Sequence, residues 1–280
     1  MKINLSATSV SDDCLAGGLA SAFVAARQSG TALKVYPGEI PSTKTLAYHI
    51  QDKAIALWPE APLGWKVALV GPTYRADFGD ERLSGPVFHK KAMNSPGTEP
   101  LQFEIFTGGF AAVEAEFVAV MARDAPAFGR LPTPQEASEL VASLHIGVET
   151  AGSPFAAIND FGPMVVVSDF GNNAGVLLGH AITDWQNRSL ESLKARMFVD
   201  DALVGEGSAA AIPGGPMAAV AFLIHHLEQR GKPLRAGQLI STGATTGIHL
   251  ISAGARITAD FGGDGSIHAR PVAMAQTLAA

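Results

Sequence analysis

The chain has 280 residues, 47% of them apolar and 16% charged, with 30 glycines and 17 prolines. This is the composition of a turn-rich globular protein with ample core, built as one large domain or as one domain with a small appendage, and it excludes a disordered chain. A formal net charge of −6, with Lys90 and Lys91 as the only adjacent basic pair, excludes the basic face of a nucleic-acid binder. The lone Cys14 excludes an intrachain disulfide and a cysteine zinc site, so any metal here takes oxygen or imidazole ligands.

The apolar run from Cys14 to Ala26 follows Asp12 and Asp13, where a signal peptide would be basic. Its acidic start and Gly30 beyond its end mark a helix from Asp12 to Gln28, too short to span a bilayer. No membrane partner is expected, and the expected location is cytoplasmic. After the turn-forming Tyr36-Pro37-Gly38-Glu39-Ile40-Pro41 comes a second helix, Thr43 to Leu57. Residues 1–62 therefore read as a small N-terminal helical region and residues 63–280 as a β-rich body. In the body, short apolar runs such as Trp65 to Val70, Phe110 to Met121 and Met164 to Val167 alternate with Gly- and Pro-rich turns.

Two helices interrupt the body. Thr133-Pro134-Gln135-Glu136 is a capping box with Pro at the first helical position, ahead of Leu140 and Leu144. Pro216 opens the other, with Val220, Leu223 and Leu227 on one stripe and Gly231 as its stop. Ala255 to Phe261 and Ser266 to Val272, joined by Gly262-Gly263-Asp264-Gly265, read as a hairpin.

The chemistry is concentrated in Glu114 and Glu116, within the apolar strand Phe110 to Met121. Residues two apart on a strand share a face, with Cα atoms about 7 Å apart. Two ionised carboxylates in an apolar setting repel one another and lose hydration, so something must neutralise them. A hard divalent cation, a salt-bridged surface face, or protonation of one carboxyl would each do so. Glu149, in the strand-like run His145 to Thr150, is a third acid of the same kind; three carboxylates fill three positions of an octahedral site and leave the others to water or substrate. His145 shares a face with Glu149 and reads as a core or supporting residue. Lys66, in the strand Trp65 to Val70, either finds a carboxylate partner, the metal ligands or Asp169, or snorkels to the surface. Thr242-Gly243 opens a turn after Leu239-Ile240, either an anion-holding loop or an ordinary strand end.

The segments Gly64-Trp65-Lys66-Val67-Ala68-Leu69, Val113-Glu114-Ala115-Glu116-Phe117, Gly147-Val148-Glu149, Ser168-Asp169-Phe170-Gly171-Asn172-Asn173-Ala174-Gly175, Gly214-Gly215-Pro216 and Ser241-Thr242-Gly243-Ala244 occur in one order. In that order and approximate spacing the chain, from about Leu46 to about Ala269, resembles the 2-keto-4-pentenoate hydratase and 4-oxalocrotonate decarboxylase branch of the fumarylacetoacetate hydrolase superfamily. The resemblance implies an α+β fold, a mixed β-roll holding Mg²⁺ or Mn²⁺ on Glu114, Glu116 and Glu149. It further implies Lys66 and Asp169 as catalytic residues, substrate contacts at Phe88, Asn173, Thr242 and Gly243, and a homo-oligomer. In one place the chain departs from the pattern: where relatives often carry an Asp before the Gly-x-x-Phe element, here Gly85-Pro86-Val87-Phe88, it has Arg82-Leu83-Ser84, with Asp80 and Glu81 nearby.

The expected activity is hydration of a 2-hydroxy-2,4-dienoate or 2-keto-4-enoate to a 4-hydroxy-2-keto acid, a step of aromatic catabolism. The alternatives are metal-dependent decarboxylation of a 4-oxalocrotonate-like 2-keto diacid and carbon–carbon hydrolysis of an acylpyruvate. The hydrolases of the superfamily typically carry their lysine after the metal carboxylates, and here no lysine lies between Glu149 and Lys194. A small-acid binder without turnover would need neither Lys66 nor Asp169.

Overall fold

The computed structural model describes residues 10–92 and 99–275. Its elements in chain order are α1 (Val10–Ser29), α2 (Lys44–Leu57), β1 (Gly64–Leu69), α3 (Arg75–Phe78), β2 (Arg82–Val87), β3 (Lys90–Ala92), β4 (Leu101–Ile105), β5 (Phe110–Met121), α4 (Pro134–Ser138) and β6 (Val141–Ser153). There follow α5 (Pro163–Ser168), β7 (Asn173–Ala181), β8 (Lys194–Val199), β9 (Ala202–Ser208), α6 (Gly215–Gln229), β10 (Leu239–Ala244), β11 (His249–Leu250), β12 (Ile257–Asp260) and β13 (Ser266–Ala273).

The strands form two mixed sheets. The larger runs β2-β1-β10-β5-β6-β7-β3, with β11 paired to β5; the smaller runs β4-β13-β12-β8-β9. Pairing is antiparallel except for β1 with β10, β3 with β7 and β4 with β13. Strict alternation along β5 assigns its two faces to different tasks. Val113, Ala115, Phe117, Ala119 and Met121 enter the main core, which α6 and the smaller sheet close; Phe117 meets Phe261 edge-on at 5.6 Å. Glu114, Glu116 and Val118 point to the opposite face.

Three local readings are corrected by packing. Met164 to Val167 is not a strand: Pro163 in the first turn starts α5, and Val165 and Val167 are buried in two separate clusters, an arrangement that a flat strand face does not supply. The capping box at Thr133 is present, yet α4 ends at Ser138, and Leu140 and Leu144 enter the core from the start of β6 and the residue before it. Thr242-Gly243 is not a turn but lies inside β10, at a register shift between Ser241 and Ala244.

The two N-terminal helices form a layer on the body. Leu19, Leu46 and Ile50 pack with Phe88 and Phe170, while Tyr48 joins Val70, Phe78, Leu83 and Val167. Arg27 of α1 ion-pairs in the interior with Asp169 and donates to the carbonyls of Asn173 and Gly152, both at 2.9 Å. Its guanidinium also lies over the ring of Phe170, 4.9 Å from the centroid. Removing one partner of a buried pair leaves the other charge without compensation. Arg27→Leu is therefore expected to cost about 3–5 kcal/mol in urea unfolding; a loss below about 1 kcal/mol would show that the pair does not tie α1 to the body.

Candidate metal centre

Five neighbouring strands, β1, β10, β5, β6 and β7, each supply a side chain to one place. The register explains how. Lys66 lies beside Ser241, Ser241 beside Val118, and Glu114 directly opposite Glu149. Residues opposite one another share a face, so Lys66, Ser241, Glu116, Glu114 and Glu149 all project from the side of the sheet away from the main core. Gly147, opposite Glu116, has no side chain to crowd it; a Cβ there would stand 2.4 Å from Cγ2 of Val118.

Each of Glu114, Glu116 and Glu149 presents a carboxylate oxygen within 4.8 Å of the other two. All three are buried, Glu116 and Glu149 completely and Glu114 to 8% exposure. This excludes a salt-bridged surface face. Two of the three are oriented by donors on one oxygen only. Oε2 of Glu116 accepts from the Ser241 hydroxyl at 2.6 Å and from the Gly243 backbone N–H at 2.9 Å, while Oε1 has no partner. Oε1 of Glu149 accepts from Asn173 Nδ2 at 3.0 Å and lies 3.4 Å from Lys66 Nζ, while Oε2 has no partner.

Lys66 is 3% exposed, so it does not snorkel. Burial draws its pKa down, but Glu149 first, then Glu114 and Glu116, more than offset this, and the net direction is up. Burial, reinforced by Glu149, pushes Glu114 up to about 7; burial and the two other carboxylates push Glu116 well above its ordinary range. With all three carboxylates ionised, one ammonium would leave two negative charges uncompensated. Two orphaned, buried carboxylate oxygens with hard-ligand chemistry fit an oxygen-loving divalent cation, and the donors on their partner oxygens supply the outer hydrogen bonds such ligands require.

The pairing of β1 with β10 ends at Lys66 and Ser241, and β10 then shifts register to follow β5. A cavity of about 440 Å³ lies along the parting, lined on one side by Lys66 to Gly71 and on the other by Thr242 to Ala244, with Glu114 in its wall.

The remaining expected site residues fall in different places. Thr242 is at this cavity, but its hydroxyl donates to the β5 backbone at Phe117 O, at 2.7 Å, and the Gly243 N–H donates to Glu116. Asp169 is 1% exposed and does not partner Lys66. One carboxylate oxygen is held by Arg27 and the other accepts from Ser153 Oγ at 2.6 Å, which removes it from water activation. Asn173 is on Glu149. Phe88 stacks near Trp58 and Phe170 and, with Phe170 and Asn173, lines a second cavity. His145 is turned to Ser143 and the Gly179 carbonyl, both at 2.9 Å, and is no ligand. Asp80 and Glu81 pair with Lys44 and Arg75 at the surface. Sequence reasoning missed Ser241 and Arg27. Ser241 shares a face with Glu116 only once β10 is paired with β5, and Arg27 meets Asp169 across 142 residues, a distance that carries no local pattern.

Residues 83–272 match the model of the fumarylacetoacetate (FAA) hydrolase C-terminal family. The chain belongs to this family. A 2-keto-4-pentenoate hydratase from Burkholderia vietnamiensis is 26% identical over 267 residues, 93% of this chain and 98% of that one. A 4-oxalocrotonate decarboxylase from Pseudomonas putida is 31% identical over 105 residues, 38% of this chain and 40% of that one. Among solved structures, the 4-oxalocrotonate decarboxylase from Pseudomonas putida G7 complexed with magnesium and adipate shares the fold, with TM-score 0.79 at 21% identity over 95% of this chain and 99% of that one. Lys194, the next lysine after Glu149, is exposed on β8 of the smaller sheet.

The raised carboxylates make metal-free stability fall with pH. A folded pKa of about 7 for Glu114, above its ordinary value of 4.5, means that the folded state binds more protons between those values. The penalty is then absent below about pH 4.5 and complete above about 7. Metal-free Tm is expected to fall as pH rises from 5 to 8, and Glu116→Gln to flatten that fall and raise Tm at pH 8. Saturating Mg²⁺ at pH 8 should stabilise wild type, by roughly 2.7 kcal/mol at 100 times Kd, and the variant less. Equal metal-induced shifts in the two proteins would remove Glu116 from the ligand set.

Proposed function

We propose that the protein is a metal-dependent hydro-lyase that adds water to a small 2-hydroxy-2,4-dienoate or 2-keto-4-enoate to give a 4-hydroxy-2-keto acid. The observation that carries this reading is that Lys66 and Glu114 line one cavity, with Glu116 and Glu149 clustered behind Glu114. The near full-length likeness to a protein named 2-keto-4-pentenoate hydratase supports it.

Glu114, Glu116 and Glu149 would hold Mg²⁺ or Mn²⁺, which supplies Lewis acidity toward the keto and carboxylate oxygens of a 2-keto acid. Lys66 carries three N–H donors, of which one reaches toward Glu149, so others are available to the cavity. In this reading the dienol loses its hydroxyl proton to solvent on binding, Lys66 gives a proton to its far carbon and recovers one from the water that adds at C4, and the enolate charge this addition puts on the 2-keto oxygen is discharged by a solvent proton at C3. Ser241 and the Gly243 N–H orient Glu116, and Asn173 orients Glu149, so the ligand oxygens need not reorganise as charge develops. The apolar walls Val70, Val166, Ile212 and Ile248 limit competing water along the substrate chain.

The decarboxylase relative favours one second reading, loss of CO₂ from a 2-keto diacid at the same site. One experiment separates them. Purified protein with Mg²⁺ is expected to bleach the diene absorbance of 2-hydroxypenta-2,4-dienoate and form 4-hydroxy-2-oxopentanoate. CO₂ release from 2-oxohex-3-enedioate without hydration of the dienoate would favour decarboxylation. Lys66→Ala should lower turnover by roughly 100-fold or more, with the Mg²⁺-induced Tm shift retained. A protein that binds both metal and acid without turnover, whether or not Lys66 is present, would be a binder.

We also infer that the chain self-associates. Leu203 and Val204 of β9 and Ile248 and Leu250 at β11 are all exposed, and β9 runs close to the 246–249 segment. Light scattering at micromolar concentration should give a mass above 29.0 kDa; a monomeric mass would remove this inference.

A further inference from the structure

We infer that Ser241 and Asn173 set which cation the carboxylate cluster takes: by occupying one oxygen of Glu116 and one of Glu149, they select a six-coordinate ion such as Mg²⁺ or Mn²⁺ against Ca²⁺. The inference rests on the metal-dependent reading above and adds the residues that fix the choice of ion. A carboxylate has two oxygens and about four lone-pair positions between them. On Glu116 both positions of Oε2 are filled, by the Ser241 hydroxyl at 2.6 Å and the Gly243 N–H at 2.9 Å, while Oε1 has no partner. Glu149 repeats the pattern from a neighbouring strand. Asn173 Nδ2 at 3.0 Å and Lys66 Nζ at 3.4 Å both address Oε1, while Oε2 has no partner. Each of these two acids therefore has one oxygen to offer a cation and not two.

The two classes of ion use carboxylates differently. Mg²⁺ demands a near-ideal octahedron of six ligands, whereas Ca²⁺ takes six to eight oxygens in a flexible shell and often binds both oxygens of one carboxylate. One oxygen from each of Glu114, Glu116 and Glu149, two from a 2-keto acid and one from water fill an octahedron. Ca²⁺ would draw at most four carboxylate oxygens from the cluster, two of them from Glu114, unless it displaced a donor. The donors are fixed in place. Ser241 is fully buried on β10, between its register partners Lys66 on β1 and Val118 on β5. Asn173 is 3% exposed, and its amide also donates to the Gly175 carbonyl at 3.3 Å. Stripping a buried donor of its acceptor is costly, so the second oxygen of each acid stays closed to an arriving ion.

Calorimetric titration of the chelator-treated protein with Mg²⁺ and with Ca²⁺, alongside the Tm shift that each ion produces, tests this without turnover. Wild type is expected to bind Mg²⁺ at least as tightly as Ca²⁺. Ser241→Ala and Asn173→Ala each open a second carboxylate oxygen, and each should move the ratio of the two Kd values roughly 10-fold toward Ca²⁺. Ser241→Thr keeps the hydroxyl and should keep the wild-type ratio. A residue that only props its strand would weaken both ions alike. An equal loss for Mg²⁺ and Ca²⁺ in both alanine variants therefore overturns the inference and leaves the metal centre standing; so does a wild type that binds Ca²⁺ more tightly than Mg²⁺. If neither ion binds wild type, the metal-dependent reading falls and the inference falls with it. Should Ser241→Ala fail to fold, wild type and Asn173→Ala carry the decision.

Discussion

Three carboxylates buried together on one face of a sheet set the terms for the rest of the molecule. Removing each charge from water costs several kcal/mol, and their mutual repulsion adds to it. Hydrophobic contacts do not neutralise these charges: Val113, Ala115, Phe117, Ala119 and Met121 of β5 point to the other face, and Val118, on the carboxylate face, packs with Val87, Val176 and Leu239. The repayment is local and polar: Lys66, the Ser241 hydroxyl, the Gly243 N–H and Asn173 each address one oxygen of Glu116 or Glu149. The other oxygen of each is left without a partner. A structure that spends four donors and still leaves two buried oxygens open is shaped for a cation.

The register shift in β10 links this cluster to the cavity beside it. Up to Ser241, β10 is paired on both sides, with β1 and β5; beyond it, the shift re-aims the chain so that the Gly243 N–H reaches Glu116. Gly243 takes φ +119 there, a conformation that side chains disfavour. Past Ser241 β10 is no longer paired with β1, and the cavity is lined by both chains beyond that point. Because the cavity follows a parting in the sheet, residues of both faces reach it, which is how Arg82 and Lys66, on opposite sides of their strands, line one space.

What was legible in the sequence was whatever has a short period or a local cap. Glu114 and Glu116 announced a shared face through strand alternation, and Thr133 and Gly231 marked helix ends. Joining Glu149 to them needed the register of β6 on β5, which the family resemblance implied and no spacing contains. What the sequence does not show is what each of these side chains is bonded to. Thr242 and Gly243 line the cavity and Asp169 and Phe88 do not, and the partners of all four are distant in sequence: the Phe117 carbonyl, Glu116, Arg27 and Trp58. Met164 to Val167 reads as strand because its β-branched valines fit one, and becomes helix because Pro163 and the burial on two sides of α5 prevail.

The segment after α5 joins the N-terminal helices to the carboxylates. Phe170, Gly171 and Asn172 are consecutively left-handed, at φ 52, 65 and 62, which for the two side-chain-bearing residues costs free energy that the surroundings must supply. β2 supplies part by close approach: a Cβ on Gly85 would lie 2.1 Å from Phe170 O. Arg27 supplies the rest from α1, binding the Asp169 carboxylate at the start of the turn, the Phe170 ring within it and the Asn173 carbonyl at its end. Asn173 then places its amide on Glu149 Oε1. A continuous chain of contacts therefore runs from α1 to the cluster, and a helical region that reads from sequence as an appendage holds the turn on which one carboxylate depends.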